Sequence, residues 1–310
     1  MRIPTMNPEQ TFFLERLALE MAKENYALEK FMNVDKRNIP QKNGSQYKVS
    51  LYDHLPDDAV QDLAEATTVD ESDMVRITRT GQLKRQAARV SYSDEMAETY
   101  DLSFIKETVA ELSYAMGTKH DKDGFASLLN EAGFVVDMGT VSVEEALKLA
   151  RNHFRKNNVP TVNKIFDGSL KFNTTPVNES WVLFCDVDDA ELWRSHSEFV
   201  PIEDYSDGTK LMPYEIGRIK SLGFTIVETL NIGRGNSVAF GRGAFTGLGL
   251  SGKNKIEIIE KPLGSGVVAD AAGNIQTDVL NQVGHIGVKS RDSLMVIYPE
   301  RIIRFENIPA

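Results

Sequence analysis

The sequence predicts an α+β fold, and three observations carry that reading. Between residues 94 and 117, Leu102, Ile105, Val109, Leu112 and Met116 recur at alternating spacings of three and four, the narrow apolar stripe of a helix laid on a core. Around residue 50, Tyr47, Val49 and Leu51 alternate with Lys48, Ser50 and Tyr52, the period of a strand with one covered face. From Trp181 onward, short apolar runs bounded by turn residues make the chain strand-rich.

In chain order, residues 8–33 read as helix, with Phe12, Phe13, Leu17, Met21, Leu28, Phe31 and Met32 among charged residues and Pro8 in the first turn. The polar stretch from Asp35 to Gly44 ends it. Strands are expected at Tyr47–Tyr52, Val75–Arg79 and Gln86–Tyr92. The helix of residues 94–117 closes at Gly117 and Thr118, and a shorter helix is expected from Phe125 to Ala132. Another begins after Ser142, with Glu144 and Glu145 in its first turn and Arg151, His153, Arg155 and Lys156 towards its end, a polarity that suits the helix dipole. Later strands are expected at Trp181–Cys185, Phe224–Leu230, Ser237–Phe240, Ile256–Ile259, Ser293–Ile297 and Ile302–Phe305, the last two joined by a Tyr298–Arg301 turn. Seven glycines make residues 231–252 read as a loop.

Composition narrows the function classes. With 310 residues, 41% of them hydrophobic and 26% charged, the chain suits one large or two modest folded domains rather than disorder. No stretch approaches the roughly 20 apolar residues of a membrane span, and Met1–Asn7 lacks the apolar core of a signal peptide. The single cysteine, Cys185, ends the apolar run Trp181–Phe184 and reads as a buried thiol in a reducing cytoplasm. The net charge of -10 argues against nucleic-acid binding as the main role, because gripping phosphates draws on a surplus of Lys and Arg.

That charge is unevenly divided. From Asp53 to Asp73 there are eight acidic residues, among them Asp57, Asp58, Asp62 and Glu65, and no Lys or Arg. From Arg76 to Arg89 there are five basic residues, Arg76, Arg79, Lys84, Arg85 and Arg89, and no acid. Either this is a solvated hairpin whose limbs neutralise each other, or the opposed patches meet their complements on neighbouring subunits and set register and partner choice.

A search for chemistry finds fragments only. Asp186-Val187-Asp188-Asp189 follows an apolar strand, where doubly wound phosphohydrolases carry a nucleophilic aspartate, but Ala190 stands where a threonine is usual. Asp189 reads more simply as the N-cap of a helix starting at Ala190. Gly233-Arg234-Gly235 and Gly241-Arg242-Gly243 look like phosphate loops, yet Gly252-Lys253-Asn254 fails the Walker pattern. Asp121-Lys122-Asp123-Gly124 starts like a calcium loop, but its twelfth position is Ala132. The five histidines lie far apart and no Gly-x-Ser-x-Gly elbow occurs. The expectation is a protein that is not an enzyme, with no metal and no cofactor.

Asp278-Val279-Leu280-Asn281-Gln282-Val283-Gly284-His285-Ile286-Gly287-Val288-Lys289 resembles the D-P-L-x-Q-x-G-x-V-G-W-K signature of one branch of tailed-phage major capsid proteins, followed as there by a strand, a turn and a terminal strand. Upstream, Pro213–Ile219 with Phe224–Thr229 is similar to that branch's G-E-I-G-R-I and I-V-E-T block, and Gly241–Phe245 to its G-x-G-A-F piece. The blocks keep their order over roughly residues 35–306, with Val279, Ile286 and Val288 replacing the signature's proline, valine and tryptophan. The resemblance implies the Hong Kong 97-type capsid fold: an N-terminal arm (1–44), an extended loop (45–93), a peripheral domain with its spine helix (94–176, completed by 277–310) and an axial domain (177–276). It further implies self-assembly into the hexamers and pentamers of an icosahedral virion shell in the host cytoplasm. The implied partners are a scaffolding protein, a portal and enclosed double-stranded DNA that is not bound in a sequence-specific way, with no membrane. An encapsulin-type compartment shares that fold and is the nearest alternative; a Mg²⁺-dependent phosphohydrolase using Asp186 and Asp188 is the alternative from another class.

Overall fold

The computed structural model describes residues 18, 27–32, 37–40, 44–52, 74–93, 103–162, 180–204, 214–251, 256–261, 267–269, 275–277 and 283–309. A helical turn, α1 (Glu29–Met32), precedes β1 (Arg37–Ile39), β2 (Gln46–Tyr52), β3 (Arg76–Gln82) and β4 (Arg85–Ser93). The long helix α2 (Ser103–Asn130) leads to β5 (Phe134–Asp137) and α3 (Val143–Lys156). Then follow β6 (Trp181–Cys185), α4 (Ala190–Arg194), β7 (Phe199–Pro201), β8 (Glu215–Ile219), β9 (Phe224–Glu228), β10 (Asn236–Phe240), β11 (Phe245–Leu250) and β12 (Ile256–Lys261). The chain closes with β13 (Val267–Ala269), β14 (Ile275–Thr277), β15 (Val283–Val296) and β16 (Ile302–Glu306). The mixture of helices and sheets is the α+β class expected.

A seven-stranded sheet runs β5-β16-β10-β6-β9-β8-β7, with β5 parallel to β16 and β6 parallel to β9. Strand alternation sorts β6 between two cores. Trp181, Leu183 and Cys185 face Ala146, Leu147, Ala150 and Phe154 of α3 and Trp193 of α4. Val182 and Phe184 face the opposite way, onto Phe125 and Leu128 of α2 and onto Leu28. Phe31 adds edge-on contacts to the Phe184 and Phe240 rings, with centroids 5.8 and 5.1 Å away. A strand apolar at every position, as β6 is, belongs in the middle of a sheet covered on both faces.

The second sheet is built on β15. Its first half pairs with β4 on one side and β12 on the other, its second half with β11, and β1 runs parallel to β11. The first half of α2 covers one face, setting Val109, Leu112 and Met116 on Tyr92, Ile256, Ile258, Ile286 and Val288. Strands β2 and β3 form a separate hairpin ladder whose base packs through Val49 and Leu83 against Ile39, Leu248 and Met295.

Several expectations need correction. Gly117 and Thr118 do not end the long helix, which runs 28 residues in all, from Ser103 to Asn130, and takes in most of the separately expected 125–132 segment. An interior glycine costs a helix only about 1 kcal/mol, and packing under both sheets outweighs that. Gly124 also leaves room for the N-terminal segment, since a β-carbon there would sit 2.8 Å from Leu28 Cδ1. Besides the expected strand at Ser237–Phe240, which is β10, residues 231–252 contain β11, whose Gly247 and Gly249 lie in the ladder with β15. The last long strand begins at Val283, ten residues before Ser293. Of the helix expected at 8–33, only residues 27–32, helical at Glu29–Met32, and the buried, helical Ala18 fall among the described residues. The strand pairings join distant parts of the chain: β5 and β16 complete the sheet of β6–β10, while β11 and β12 join β15.

Gly217 marks a close approach of two strands. A β-carbon there would overlap the Phe199 ring and lie 2.6 Å from the Val200 carbonyl oxygen. Gly217→Val is expected to destabilise the unassembled subunit by about 1–3 kcal/mol, the usual cost of overpacking, read from urea unfolding. A loss below about 0.5 kcal/mol, the scale of a surface change, would show that Phe199 turns aside.

Candidate functional site

The charged residues singled out in the sequence do not act as one group. Asp57, Asp58, Asp62 and Glu65 lie outside the described residues. Arg76 is exposed, and its guanidinium donates a 2.6 Å hydrogen bond to Ser50 Oγ across the hairpin. Arg79 turns inward beside Glu131, whose carboxyl is raised above its ordinary range by burial, with the Arg79 charge opposing that shift. Lys84 lies near Asp123: burial pushes that carboxyl up, but Lys119, with help from Lys84 and Gln86, outweighs it and holds it low.

Arg85 and Arg89 remain, exposed on β4. The register places Gln86, Ala88 and Tyr92 on the α2 side and Arg85 and Arg89 on the other, opposite Arg291 and Gly287 of β15. Lys289 shares this outer face, opposite Ala87. Four cations thus stand on one face of two adjacent strands. Sequence reading found only the two on β4. The alternation of His285, Gly287, Lys289 and Arg291 with the apolar or small residues between them is the signal that places the rest.

The residues considered for catalysis serve the fold. Asp186 Oδ1 accepts the Asp188 N–H at 3.1 Å. Asp189 stands at the cap position of α4 without a capping hydrogen bond, because its Oδ2 accepts the Gly235 N–H at 2.7 Å. That contact ties the β6–α4 corner to a turn in which Gly235 has φ +81°, a conformation glycine adopts freely. Cys185 is fully buried, and burial drives its thiol pKa far up. Among the described residues, no cluster of three or more His, Cys, Asp or Glu side chains is arranged to hold a metal. No helix among them is long and apolar enough to cross a membrane.

Two buried polar contacts were not read from the sequence. Arg218 Nε donates to Glu215 Oε1 at 2.9 Å with side chains 8% and 0% exposed, an ion pair inside the seven-stranded sheet. Asp121 of α2 accepts the Leu28 N–H and the Asn231 side-chain amide, each at 3.0 Å, joining the N-terminal segment, the long helix and the loop after β9. Its carboxyl is raised to about 6 by burial, which these hydrogen bonds and one from the Ala27 N–H oppose.

No protein-family model matches the chain, and no curated protein matches it in sequence. Solved structures do match in fold. A chain from the head of Helicobacter pylori bacteriophage KHP40 is 14% identical, with a TM-score of 0.63 over 92% of this chain and 91% of that one. A chain of the mature capsid of bacteriophage PhiM1 is 9% identical, with a TM-score of 0.57 over 90% of this chain and 88% of that one. A virus-like particle from Pyrococcus furiosus gives 13% identity and a TM-score of 0.50 over 96% of this chain and all of that one. The long helix under a β-sheet, the hairpin beside it and the second covered sheet thus form the Hong Kong 97-type fold, shared along nine-tenths of the chain with these phage head and capsid chains.

Proposed function

We propose that the chain is the major capsid protein of a tailed phage, closing into hexamers and pentamers that tile an icosahedral head around double-stranded DNA. The observation that carries this is the match to phage head and capsid structures end to end rather than over one domain. Phage head and capsid chains match at TM-scores from 0.50 to 0.63 and the virus-like particle from Pyrococcus furiosus at 0.50, and a phage shell is the reading we favour. In this reading α2 is the spine helix, the β2–β3 hairpin with residues 53–73 is the extended loop, and residues 1–44 form the arm. The sheet on β15 belongs to the peripheral unit and the seven-stranded sheet to the axial one. Function then lies in geometry: head-to-tail contacts close rings, and each subunit buries interfaces of about 2,000 Å² or more. The acidic chain confines DNA without holding it, and a scaffolding protein and a portal are its further partners during assembly in the host cytoplasm.

Negative-stain electron microscopy with size-exclusion chromatography of the purified protein tests this. Closed shells, or rings of five or six subunits, are the expected result. A chain that stays monomeric both alone and with its scaffolding protein overturns the reading.

A further inference from the structure

Three separate parts of the chain meet at the Asp121 carboxyl. From the segment before α1 it accepts the Leu28 and Ala27 N–H groups, and from the loop after β9 the Asn231 side-chain amide. Residues 27–32 are seated on the core here. Leu28 is fully buried with Phe125 and Leu128 of α2, and Phe31 lies edge-on to the Phe184 and Phe240 rings. The segment belongs to neither large sheet, and its helix is a single turn of four residues. It is tethered on both sides: upstream, Ala18 is buried in the cluster of Val109 and Met116, and downstream, β1 pairs with β11. It is thus a flap, shut by two apolar side chains and the bonds to one carboxyl.

The surroundings of Asp121 decide how that clasp behaves. Its donors are neutral amides, and no ion pair among the described residues reaches it. Its neighbours one turn away on α2, Gly117, Thr118, Gly124 and Phe125, carry no charge. His120 turns instead to β15, where its Nε2 meets Ser290 Oγ at 2.7 Å, and Asp123 pairs with Lys119. On the seven-stranded sheet Phe184 and Phe240 are apolar, and Glu228 at the end of β9 stands 3.9 Å from Arg194. On the flap, Glu29 is a second buried carboxyl, 5% exposed. A negative charge on Asp121 therefore has no cation to offset it, and hydrating it requires the flap to lift. Burial accordingly raises the carboxyl to about 6. We propose that residues 27–32 are a proton-gated flap, held shut while Asp121 is protonated and freed to open when it ionises. Opening hydrates the carboxylate and withdraws Phe31 from the Phe184 and Phe240 rings, while β6 and β10 keep their ladder beneath. The gate is a property of the single subunit and does not depend on the shell reading.

Hydrogen exchange of the full chain, read by mass spectrometry and divided by the intrinsic rate at each pH, tests the gate. Opening of residues 27–32 is expected to rise about tenfold per pH unit between about pH 4 and 6 and then level off, roughly a hundredfold in all. Protection at Val238–Phe240 of β10 should stay constant over the same range. Asp121→Asn is expected to abolish the rise and leave the flap protected at every pH, whereas Glu29→Gln should keep the rise. Gly124→Val presses on Leu28 without touching the carboxyl and should increase opening at every pH. Equal protection of the flap at pH 4 and pH 7 in the wild type overturns the proposal. So does a rise that survives Asp121→Asn, a rise lost in Glu29→Gln, or a flap indifferent to Gly124→Val. Exchange of β10 in step with the flap overturns it as well, since the opening is then global.

Discussion

Arg218→Ala is expected to lower the stability of the unassembled subunit by about 3–5 kcal/mol, because it removes the guanidinium that pairs with the buried Glu215 carboxylate inside the seven-stranded sheet. The figure is large for an ion pair because neither side chain reaches water: one is 8% exposed and the other fully covered. An exposed pair such as Lys148 with Glu144, whose side chains are both more than half exposed, is worth at most about 1 kcal/mol. Replacing both partners by apolar residues of similar volume, Glu215→Leu with Arg218→Met, is expected to recover most of the loss, since both charges of the pair are removed together. Urea unfolding of the three proteins gives the comparison. If Arg218→Ala costs less than about 1 kcal/mol, the level of a surface pair, then water reaches the pair.

Asp121 gives the second large effect, with a definite sign. Its carboxyl titrates near 6 in the folded protein against an ordinary value of 3.8, so the folded state holds the proton more tightly. The stability this group contributes is therefore fully present below about pH 3.8 and is lost as pH rises through about 6. A shift of that size corresponds to about 3 kcal/mol across the window. Asp121→Asn keeps an acceptor for the Leu28 N–H but cannot ionise. Relative to wild type, the variant should gain stability steadily between pH 4 and pH 7, measured by urea unfolding at intervals of about one pH unit. Parallel pH profiles for the two proteins would show that Asp121 is hydrated rather than buried. Hydrogen exchange at residues 27–32 should follow the same trend, because Asp121 holds that segment to α2.

Where local patterning and burial agree, the fold is legible from the sequence. Strand β6 runs over the five residues its apolar run predicts, and α3 begins after Ser142, whose hydroxyl accepts the Glu145 N–H as an N-cap should. The apolar stripe of α2 points into the sheet at Val109, Leu112 and Met116 as its spacing demands. The errors have physical causes. Gly117 looked like a stop because local propensity disfavours it, whereas tertiary packing decides the matter. Strand β11 was hidden because Gly247 and Gly249 carry no alternating side chains, yet its backbone pairs with β15. Strands β5 and β7, of four and three residues, are too short to show a period. The charged face was half legible. The basic limb on β4 is continuous in sequence, and alternation puts Lys289 and Arg291 on one face of β15, but no local pattern encodes the register that sets Arg291 beside Arg85, about two hundred positions away.

The helix α2 carries a mechanical consequence. At 28 residues it is about 42 Å long, and its two ends serve different sheets: Val109 and Leu112 sit under the β15 sheet, Phe125 and Leu128 under the seven-stranded one. The chain crosses between those sheets again from β10 to β11 and from β15 to β16. With a stiff rod and two short crossings linking them, neither sheet can be tilted alone. A torque applied at one tip reaches the other through the rod, and the whole subunit turns as a lever. If rings of five and six both form, their difference in pitch is absorbed at the joints between subunits, while the body keeps its shape.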